Sequence, residues 1–250
     1  MNTTDLPLGF KASGVAAGIK TSGALDLTLI HNIGPRFDAA AVYTTNQVVA
    51  APVIWSREVT KGGVVRAAIL NSGGANACTG PQGFLDTHRT AEKVAEHLDI
   101  SSGEVVVCST GLIGERLPME KIFTGIESMI SNLASESLEL VARSIMTTDS
   151  IHKLAVDQSH GSRTVGVAKG AGMLAPALAT MLSVVMTDAI LPANYQEIFS
   201  RVADRTFNRI DSDGCMSTND TVLLMSSGAS EIEFSAEQLE EVLMSICSSL

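Results

Sequence analysis

Positive charge is scarce in this 250-residue sequence, in which 17 Lys and Arg residues stand against 27 Asp and Glu, giving a formal net charge of −10. A protein that binds nucleic acid needs a basic stripe to neutralise phosphates, so this charge balance argues against such binding. No apolar run approaches the roughly 18 residues that a membrane-spanning helix requires. The segment Met1–Phe10 lacks the basic start and apolar core of a signal peptide. We therefore expect a cytoplasmic protein that contacts neither nucleic acid nor membrane.

Cysteine and histidine are also sparse, and their spacing indicates no metal or disulfide site. The four cysteines are scattered without a CxxC pair, and the five histidines show neither ligand nor triad spacing. A calcium site is suggested by three aspartates that alternate with glycine and serine, Asp211, Asp213 and Asp220, but the spacing of an EF-hand is absent. We expect these aspartates to form a structural polar loop, the histidines His88 and His97 to lie on a polar helix face, and no metal to be bound.

Aromatic residues make up only 4% of the chain, so Ala, Val, Ile, Leu and Met must fill the core, and hydrophobic residues at 45% are enough for a compact fold. The first 80 residues are typical of short strands joined by turns, and helices and strands alternate afterwards, which predicts one α/β unit. Strands are predicted at 26–33, 38–45, 65–71, 104–109, 153–157, 164–168, 181–187 and 220–225, and helices at 85–98, 118–133, 138–146, 192–207 and 237–250.

The last predicted helix has a clear beginning and no clear end. Ser235 and Gln238 form a capping box before it, and its apolar spacing runs to Leu250 without a C-cap. The sequence is therefore expected to be part of a longer protein.

The segment Thr164–Ser183 carries the most chemical information, because a predicted strand runs into a glycine-rich loop, a proline and a second strand. Gly170-x-Gly172-x-x-Ala175 formally fits a dinucleotide fingerprint, but Pro176 and the β-branched run that follows disfavour the required helix. A P-loop is excluded because Lys169 precedes the glycines. A processing loop is the third interpretation: Thr180 could attack the carbonyl of Ala179, and its freed α-amine could then serve as the base for its own hydroxyl.

Five blocks in this sequence together resemble the ornithine acetyltransferases of arginine biosynthesis, also called glutamate N-acetyltransferases. The blocks are Asn71-Ser-Gly-Gly-Ala-Asn-Ala-Cys-Thr-Gly80, Cys108-Ser-Thr-Gly-Leu-Ile-Gly114, Ile145-Met-Thr-Thr-Asp149, Lys169-Gly-Ala-Gly-Met-Leu-Ala-Pro-Ala-Leu-Ala-Thr-Met-Leu182 and Phe207–Thr221. They occur in the expected order over nearly the whole chain, although Gly74 stands where the family usually has asparagine. The resemblance implies a layered αββα sandwich of the N-terminal-nucleophile kind.

The resemblance also implies a mechanism. Self-cleavage between Ala179 and Thr180 would give an α chain of 1–179 and a β chain that begins at Thr180. Thr180 would then carry an acetyl group from N-acetylornithine to glutamate. Thr110 and Gly111 would form the oxyanion hole, and Thr147 and Lys169 would bind substrate, with the choice of Thr147 over Thr148 resting on the match alone.

The same resemblance implies an α2β2 heterotetramer of cleaved chains, with no metal, nucleotide or flavin cofactor. It leaves open whether acetyl-CoA is an additional acetyl donor, which would make the enzyme bifunctional. The family continues past residue 250 into a segment with an acidic substrate residue and a tail that lines the site. Three alternatives remain: an amidase or aminopeptidase of similar self-cleaving mechanism, a dinucleotide-binding oxidoreductase, and a non-catalytic fragment that only packs or binds.

Overall fold

The fold consists of six α-helices and nine β-strands in the parts of the chain that the computed structural model describes, residues 5–135, 137–172 and 181–250. Ala179 and Thr180, the proposed cleavage pair, lie outside the described residues. The strands are β1 (Phe10–Val15), β2 (Leu27–Asn32), β3 (Ala39–Tyr43), β4 (Ala67–Asn71), β5 (Val105–Ser109), β6 (Lys153–Asp157), β7 (Thr164–Lys169), β8 (Leu182–Thr187) and β9 (Thr221–Ser226). The helices are α1 (Ala51–Thr60), α2 (Gly80–Leu98), α3 (Met119–Ile130), α4 (Leu138–Ser144), α5 (Tyr195–Arg205) and α6 (Ala236–Ser249).

Two sheets form the centre of the molecule. The first has the order β1-β2-β4-β5, in which β4 and β5 are parallel and the other pairs antiparallel. The second has the order β3-β9-β8-β7-β6, in which β8 and β9 are parallel and the other pairs antiparallel. Strands β4, β5, β7, β8 and β9 are buried at every position, as expected for strands covered on both faces.

The side chains divide into three main cores that define four layers. One core joins the two sheets, with Leu70 and Val106 of the first facing Val184 and Leu223 of the second. A second core packs α2 and α3 on the outer face of the first sheet, and a third packs α5 and α6 on the outer face of the second sheet. Helix α4 contributes Leu138, Val141 and Ala142 to the core between the sheets, and Ile145, which directly follows the helix, packs there too. This arrangement confirms the predicted αββα sandwich.

Two elements of the first 80 residues were not predicted from sequence. Strand β1 has the sequence Phe-Lys-Ala-Ser-Gly-Val, whose glycine and serine obscure its alternation. Helix α1 contains two valines, an isoleucine and a threonine, so its local preference favours a strand. It is helical because Pro52 suits a first turn and because Val53, Ser56 and Val59 fall on one buried face. Tertiary packing against β5 and α2 thus overrides propensity.

The other predicted elements are present, with boundaries shifted by a few residues. Helix α2 begins at Gly80, five residues earlier than its periodicity indicated, because Pro81 lies in its first turn. The capping box of α6 is confirmed, since the Ser235 hydroxyl accepts the Gln238 N–H and the Gln238 side chain accepts the Ser235 N–H. Among the helices in the described parts of the chain, none is both long and apolar enough to cross a membrane.

Candidate active site

A cavity of about 700 Å³ opens at one end of both sheets and contains the four described residues that the sequence assigned to oxyanion and substrate binding. Its lining consists of Ile19, Lys20, Thr21, Ser22, Ser72, Gly73, Thr110, Gly111, Leu112, Thr147, Thr148, Lys169, Gly172 and Asp213. Thr110 and Gly111 follow β5, Thr147 precedes β6, and Lys169 ends β7. Residues from distant parts of the sequence therefore meet here, because these strand ends all lie at the same end of the sandwich.

Asn71, the last residue of β4, organises the loop that faces Thr110. Its side-chain amide donates to the Ser109 hydroxyl at 2.7 Å, and its side-chain oxygen accepts the N–H groups of Gly73 at 3.3 Å and Gly74 at 3.1 Å. Its backbone carbonyl accepts the Thr110 N–H at 2.9 Å. The end of β4 thus fixes both the glycine loop and the backbone of Thr110.

Gly111 occupies a position that no other residue type fits. Its φ is +129°, and a Cβ atom there would lie 2.7 Å from the Gly74 nitrogen and 2.8 Å from the Gly73 carbonyl carbon. Side-chain-bearing residues rarely adopt that φ, and the distances are below van der Waals contact. The close approach of these two backbones explains why the block that contains Thr110 carries glycine at this position.

Lys169 places a cation inside the cavity. Its side chain is only 2% exposed, and its Nζ donates to the Thr110 Oγ1 at 3.4 Å. Burial lowers the pKa of Lys169 to about 8, although the carboxylates of Asp149 and Asp220 act in the opposite direction. Lys169 is therefore charged at neutral pH and lies beside Thr110, the predicted oxyanion residue. In its burial it differs from a lysine in a solvated loop.

The loop with Thr147 is held by the carboxylate of Asp149. The Asp149 carboxylate accepts the Thr147 N–H at 3.1 Å, the Gly170 N–H at 2.8 Å and the Lys153 ammonium at 2.7 Å. Burial acts to raise the pKa of Asp149, but these hydrogen bonds hold it below its usual value. Asp149 thus ties the Thr147 loop to the end of β7, and both Thr147 and Thr148 line the cavity.

Lys20 forms a second connection to the same loop. Its ammonium donates to the backbone carbonyls of Met146 at 2.7 Å and Leu25 at 2.8 Å. The fully buried Asp26 accepts the N–H groups of Lys20 and Ala17. The turn at residues 16–26, which sequence reasoning did not connect with the site, therefore forms one wall of the cavity.

The three aspartates considered together in the sequence lie in different environments. Asp211 is exposed in a turn, and Asp213 lines the cavity, which fits the expected polar loop. Asp220 is instead fully buried, and its Oδ1 accepts the Met181 N–H at 2.8 Å. Burial raises the pKa of Asp220 to about 7, although the Met181 N–H and the Ser217 and Thr44 hydroxyls favour the ionised form. Asp220 thus lies one residue before the fully buried strand β9 and is not part of the expected polar loop.

The cysteines and histidines, all of which belong to the described residues, lie outside the cavity lining. Cys108 and Cys247 are buried in apolar cores, where burial raises the pKa of each thiol to about 12. His88 packs on Trp55 with ring centroids 5.0 Å apart, and is neither fully buried nor fully exposed. No group of three or more His, Cys, Asp or Glu in the described residues is placed to hold a metal ion.

Two sheets packed face to face between helical layers, with a cavity where their strands end, define the αββα class that includes the N-terminal-nucleophile proteins. Within that class the relationship is specific, since the model of the ArgJ family matches residues 11–250. The chain belongs to the ArgJ family. It is similar to the arginine biosynthesis bifunctional proteins ArgJ of Streptomyces avermitilis, at 57% identity over 97% of this chain, and Mycobacterium tuberculosis, at 53% identity over 98%. The chain spans about 63% of the length of these relatives.

Solved structures agree with this assignment. Ornithine acetyltransferase from Mycobacterium tuberculosis, crystallised with ornithine, is 47% identical and superposes with a TM-score of 0.62, covering 70% of this chain and 96% of that one. An L-aminopeptidase D-Ala-esterase/amidase from Ochrobactrum anthropi, described as a variant of the Ntn hydrolase fold, superposes with a TM-score of 0.55 over 100% of this chain and 85% of that one. At 11% identity the second comparison supports the fold alone.

Proposed function

We propose that this chain forms most of the catalytic unit of a self-cleaving acetyltransferase that moves an acetyl group from N-acetylornithine to glutamate through Thr180. The observation that carries the proposal is the cavity, which collects Thr110, Gly111, Thr147 and Lys169 from separate segments. Family membership and the ornithine-bound relative support the choice of substrate class. The sequence places Thr180 one residue before Met181, which is anchored at the same end of the sandwich.

In the cleavage step, the Thr180 hydroxyl attacks the carbonyl carbon of Ala179. The peptide bond is replaced by an ester, and the Thr180 nitrogen takes a proton and becomes an amine. Water then hydrolyses the ester, so that Ala179 gains a carboxylate and Thr180 regains its hydroxyl. The new α-amine, with an ordinary pKa near 8, can accept the hydroxyl proton in later turnovers.

In the transfer step, the Thr180 hydroxyl attacks the acetyl carbon of N-acetylornithine, and ornithine departs after its amine gains a proton. The acetyl-Thr180 ester is then attacked by the amine of glutamate, which releases N-acetylglutamate and restores the hydroxyl. Both amino acids carry carboxylates, and the Lys169 ammonium supplies a cation in the cavity to bind one. Thr147 supplies a further hydroxyl in the cavity lining.

Thr110 and Gly111 are proposed to stabilise the negative oxygen that forms in each step. Because the Lys169 ammonium donates to the Thr110 Oγ1, one lone pair of that hydroxyl is occupied. Its own hydrogen is then available to donate to the developing oxyanion, beside the Gly111 backbone. A charged donor behind the hydroxyl also polarises it, so this pair acts more strongly than an isolated threonine.

The cleaved chains, 1–179 and 180 onward, are proposed to remain associated and to assemble further as an α2β2 heterotetramer. No resident cofactor is required by the chemistry above, and acetyl-CoA is proposed as an additional donor to be tested. The oxidoreductase interpretation has no support from the site or the relatives.

Intact-mass spectrometry of the protein expressed from its complete gene tests the cleavage. We expect two pieces divided at Ala179/Thr180, whole chains for Thr180→Ala, and cleavage in Thr180→Ser, which keeps a hydroxyl. A folded wild-type chain that stays whole would refute self-processing. Transfer is then followed with N-[¹³C-acetyl]ornithine and glutamate: labelled N-acetylglutamate supports the acetyltransferase, whereas labelled acetate alone would show an amidase.

A further inference from the structure

Asp220 and Thr221, at the start of β9, hold both backbone groups of Met181, the residue that follows the proposed nucleophile. The buried Asp220 carboxylate accepts the Met181 N–H at 2.8 Å, and the Thr221 N–H donates to the Met181 carbonyl at 3.0 Å. Strand β8 begins immediately afterwards and runs parallel to β9. Two adjacent residues therefore fix the position and direction of the chain as it leaves Thr180.

The neighbouring residue holds the opposite side of the site. The Asn219 side-chain amide donates to the Ser109 carbonyl at 2.8 Å and to the Ala75 carbonyl at 2.6 Å. The Thr218 hydroxyl donates to the Asn219 Oδ1 at 2.5 Å, which fixes the orientation of that amide. Since Ser109 directly precedes Thr110, Asn219 anchors the proposed oxyanion loop to the same segment that anchors Met181.

We propose that Asp220 is a positioning residue for the nucleophile, which together with Asn219 sets the distance between Thr180 and the oxyanion loop of Thr110. The inference rests on the proposed function, because it assigns Asp220 a part in both the self-cleavage and the acetyl transfer of Thr180. Asp220 itself does not line the cavity. It acts on the reaction through the Met181 backbone.

The choice of a carboxylate at this place favours a functional role over a structural one. Asp220 is fully buried, and its Oδ2 forms no hydrogen bond of good geometry with the described residues. A buried and incompletely paired carboxyl destabilises a fold, whereas serine or asparagine could accept one N–H at a lower cost. The charged group that faces it is Lys169 on β7, with the Ser217 and Thr44 hydroxyls nearby. Residues that reduce stability in this way are concentrated at functional sites.

Three variants of the full-length protein separate these roles. Asp220→Ala removes the acceptor for the Met181 N–H, and Asp220→Asn keeps an acceptor oxygen but removes the charge. Asp188→Asn is the matched control, because Asp188 is a buried carboxylate just past the other end of β8 that accepts the N–H groups of Arg163 and Leu8. Each variant is measured for its cleavage rate, for kcat and KM with N-acetylornithine, for thermal stability and for hydrogen exchange of the Met181 amide.

We expect Asp220→Ala to cleave about 100-fold more slowly, a loss that a displacement of the reacting group by about 1 Å can produce. Its cleaved fraction should show a lower kcat with KM nearly unchanged, because the cavity lining is intact, and the Met181 amide should lose protection. Asp220→Asn should cleave at a rate between those of Asp220→Ala and the wild type, because a neutral amide oxygen holds the Met181 N–H less firmly than a carboxylate does. Asp188→Asn should lose thermal stability while cleaving at the wild-type rate.

The inference is overturned if Asp220→Ala cleaves like the wild type, or if Asp188→Asn is impaired to the same degree at equal loss of stability. An uncut wild-type chain would refute the proposed function together with the role of Asp220. A cut wild-type chain with an unimpaired Asp220→Ala variant would refute only the role of Asp220. The two failures are therefore distinguishable.

Discussion

Replacing Thr110 with valine tests the oxyanion hole with little change in side-chain shape. The substitution removes the hydroxyl that accepts from Lys169 and that we expect to donate to the oxyanion. Loss of one such donor costs about 2.7–4 kcal/mol of transition-state stabilisation in a related case, or a factor of about 10² to 10³ in rate. The bond that the folded state loses is long, at 3.4 Å, so its loss should cost about 1.5 kcal/mol, the lower end of the range for hydrogen bonds to charged groups. Catalysis should therefore suffer more than stability.

The assay is the rate of self-cleavage by intact mass, followed by kcat and KM of the cleaved fraction. We expect both rates to fall by about 10² to 10³ with little change in KM, because the hydroxyl acts mainly on the transition state. Thr110→Ser should keep most of the activity. Thr164→Val is the matched control: Thr164 is buried, its hydroxyl bonds to Thr187, and it begins the strand that Lys169 ends.

The reasoning would be refuted if Thr110→Val cleaved and turned over within about threefold of the wild type, since a lost oxyanion donor costs far more than that. It would also be refuted if Thr164→Val lost as much activity for the same loss of stability. In either case the hydroxyl of Thr110 would be structural, and the stabilisation would have to come from backbone N–H groups alone.

Two further predictions concern neighbouring positions. Gly111→Ala should destabilise the fold by more than about 1 kcal/mol and block cleavage, because its Cβ would lie 2.7 Å from the Gly74 nitrogen. Gly114→Ala is the control: Gly114 has a φ of +87° and nothing within 4 Å of its Cβ position, so this variant should show only the conformational strain. Equal melting temperatures for the two variants would contradict the prediction. Burial lowers the pKa of Lys169 from 10.5 to about 8. Between these two pH values the folded state binds fewer protons than the unfolded state, so the free energy of unfolding decreases as the pH falls. Below about pH 8 the destabilisation caused by Lys169 has its full value. Lys169→Met, compared in the uncut Thr180→Ala background, should therefore raise the free energy of unfolding at pH 7 by an amount that shrinks as the pH rises towards 10.5, and a loss of stability at pH 7 would contradict the prediction.

The periodic parts of the fold could be predicted from sequence, because their apolar spacing is set by burial on one face. Helix α6 is an example, with Leu239, Val242, Leu243 and Ile246 buried as its pattern requires. Helix α1 could not, since its β-branched residues favour a strand and only contacts with β5 and α2 decide its state. Local preference and tertiary packing conflict there, and packing prevails.

The residues of the site also divide into those that the sequence predicted and those that it did not. Thr110, Gly111, Thr147 and Lys169 were found through the blocks that contain them, and the cavity brings them together. Asp220 and Lys20 were missed, because each acts through backbone groups of residues far away in sequence. The Asp220 bond to Met181 and the Lys20 bond to Met146 span 39 and 126 positions. Contacts of that range leave no local pattern, so only a three-dimensional structure reveals them.

The sheet order leads to a last prediction about the proposed cleavage. In the second sheet, β8 and β9 follow residue 180, and they lie between β3 and β7, which precede it. The ladder of β7 with β8 runs from Thr164↔Thr187 to Lys169↔Leu182, and that of β3 with β9 runs from Ala39↔Met225 to Tyr43↔Thr221. Both edges of the later segment are thus paired with the earlier one.

Separating the two pieces would break both ladders and expose the core between the sheets, together with the core beneath α5 and α6. We expect the cut wild-type protein to elute from native size-exclusion chromatography in one peak, at the same volume as uncut Thr180→Ala, and to resolve into two pieces only in denaturant. Release of the 1–179 piece under native conditions would contradict this sheet order. A backbone cut at this place can therefore free the amine of Thr180 while the fold that positions it stays intact, because the strands on either side of the cut are held by neighbours and not by the bond that breaks.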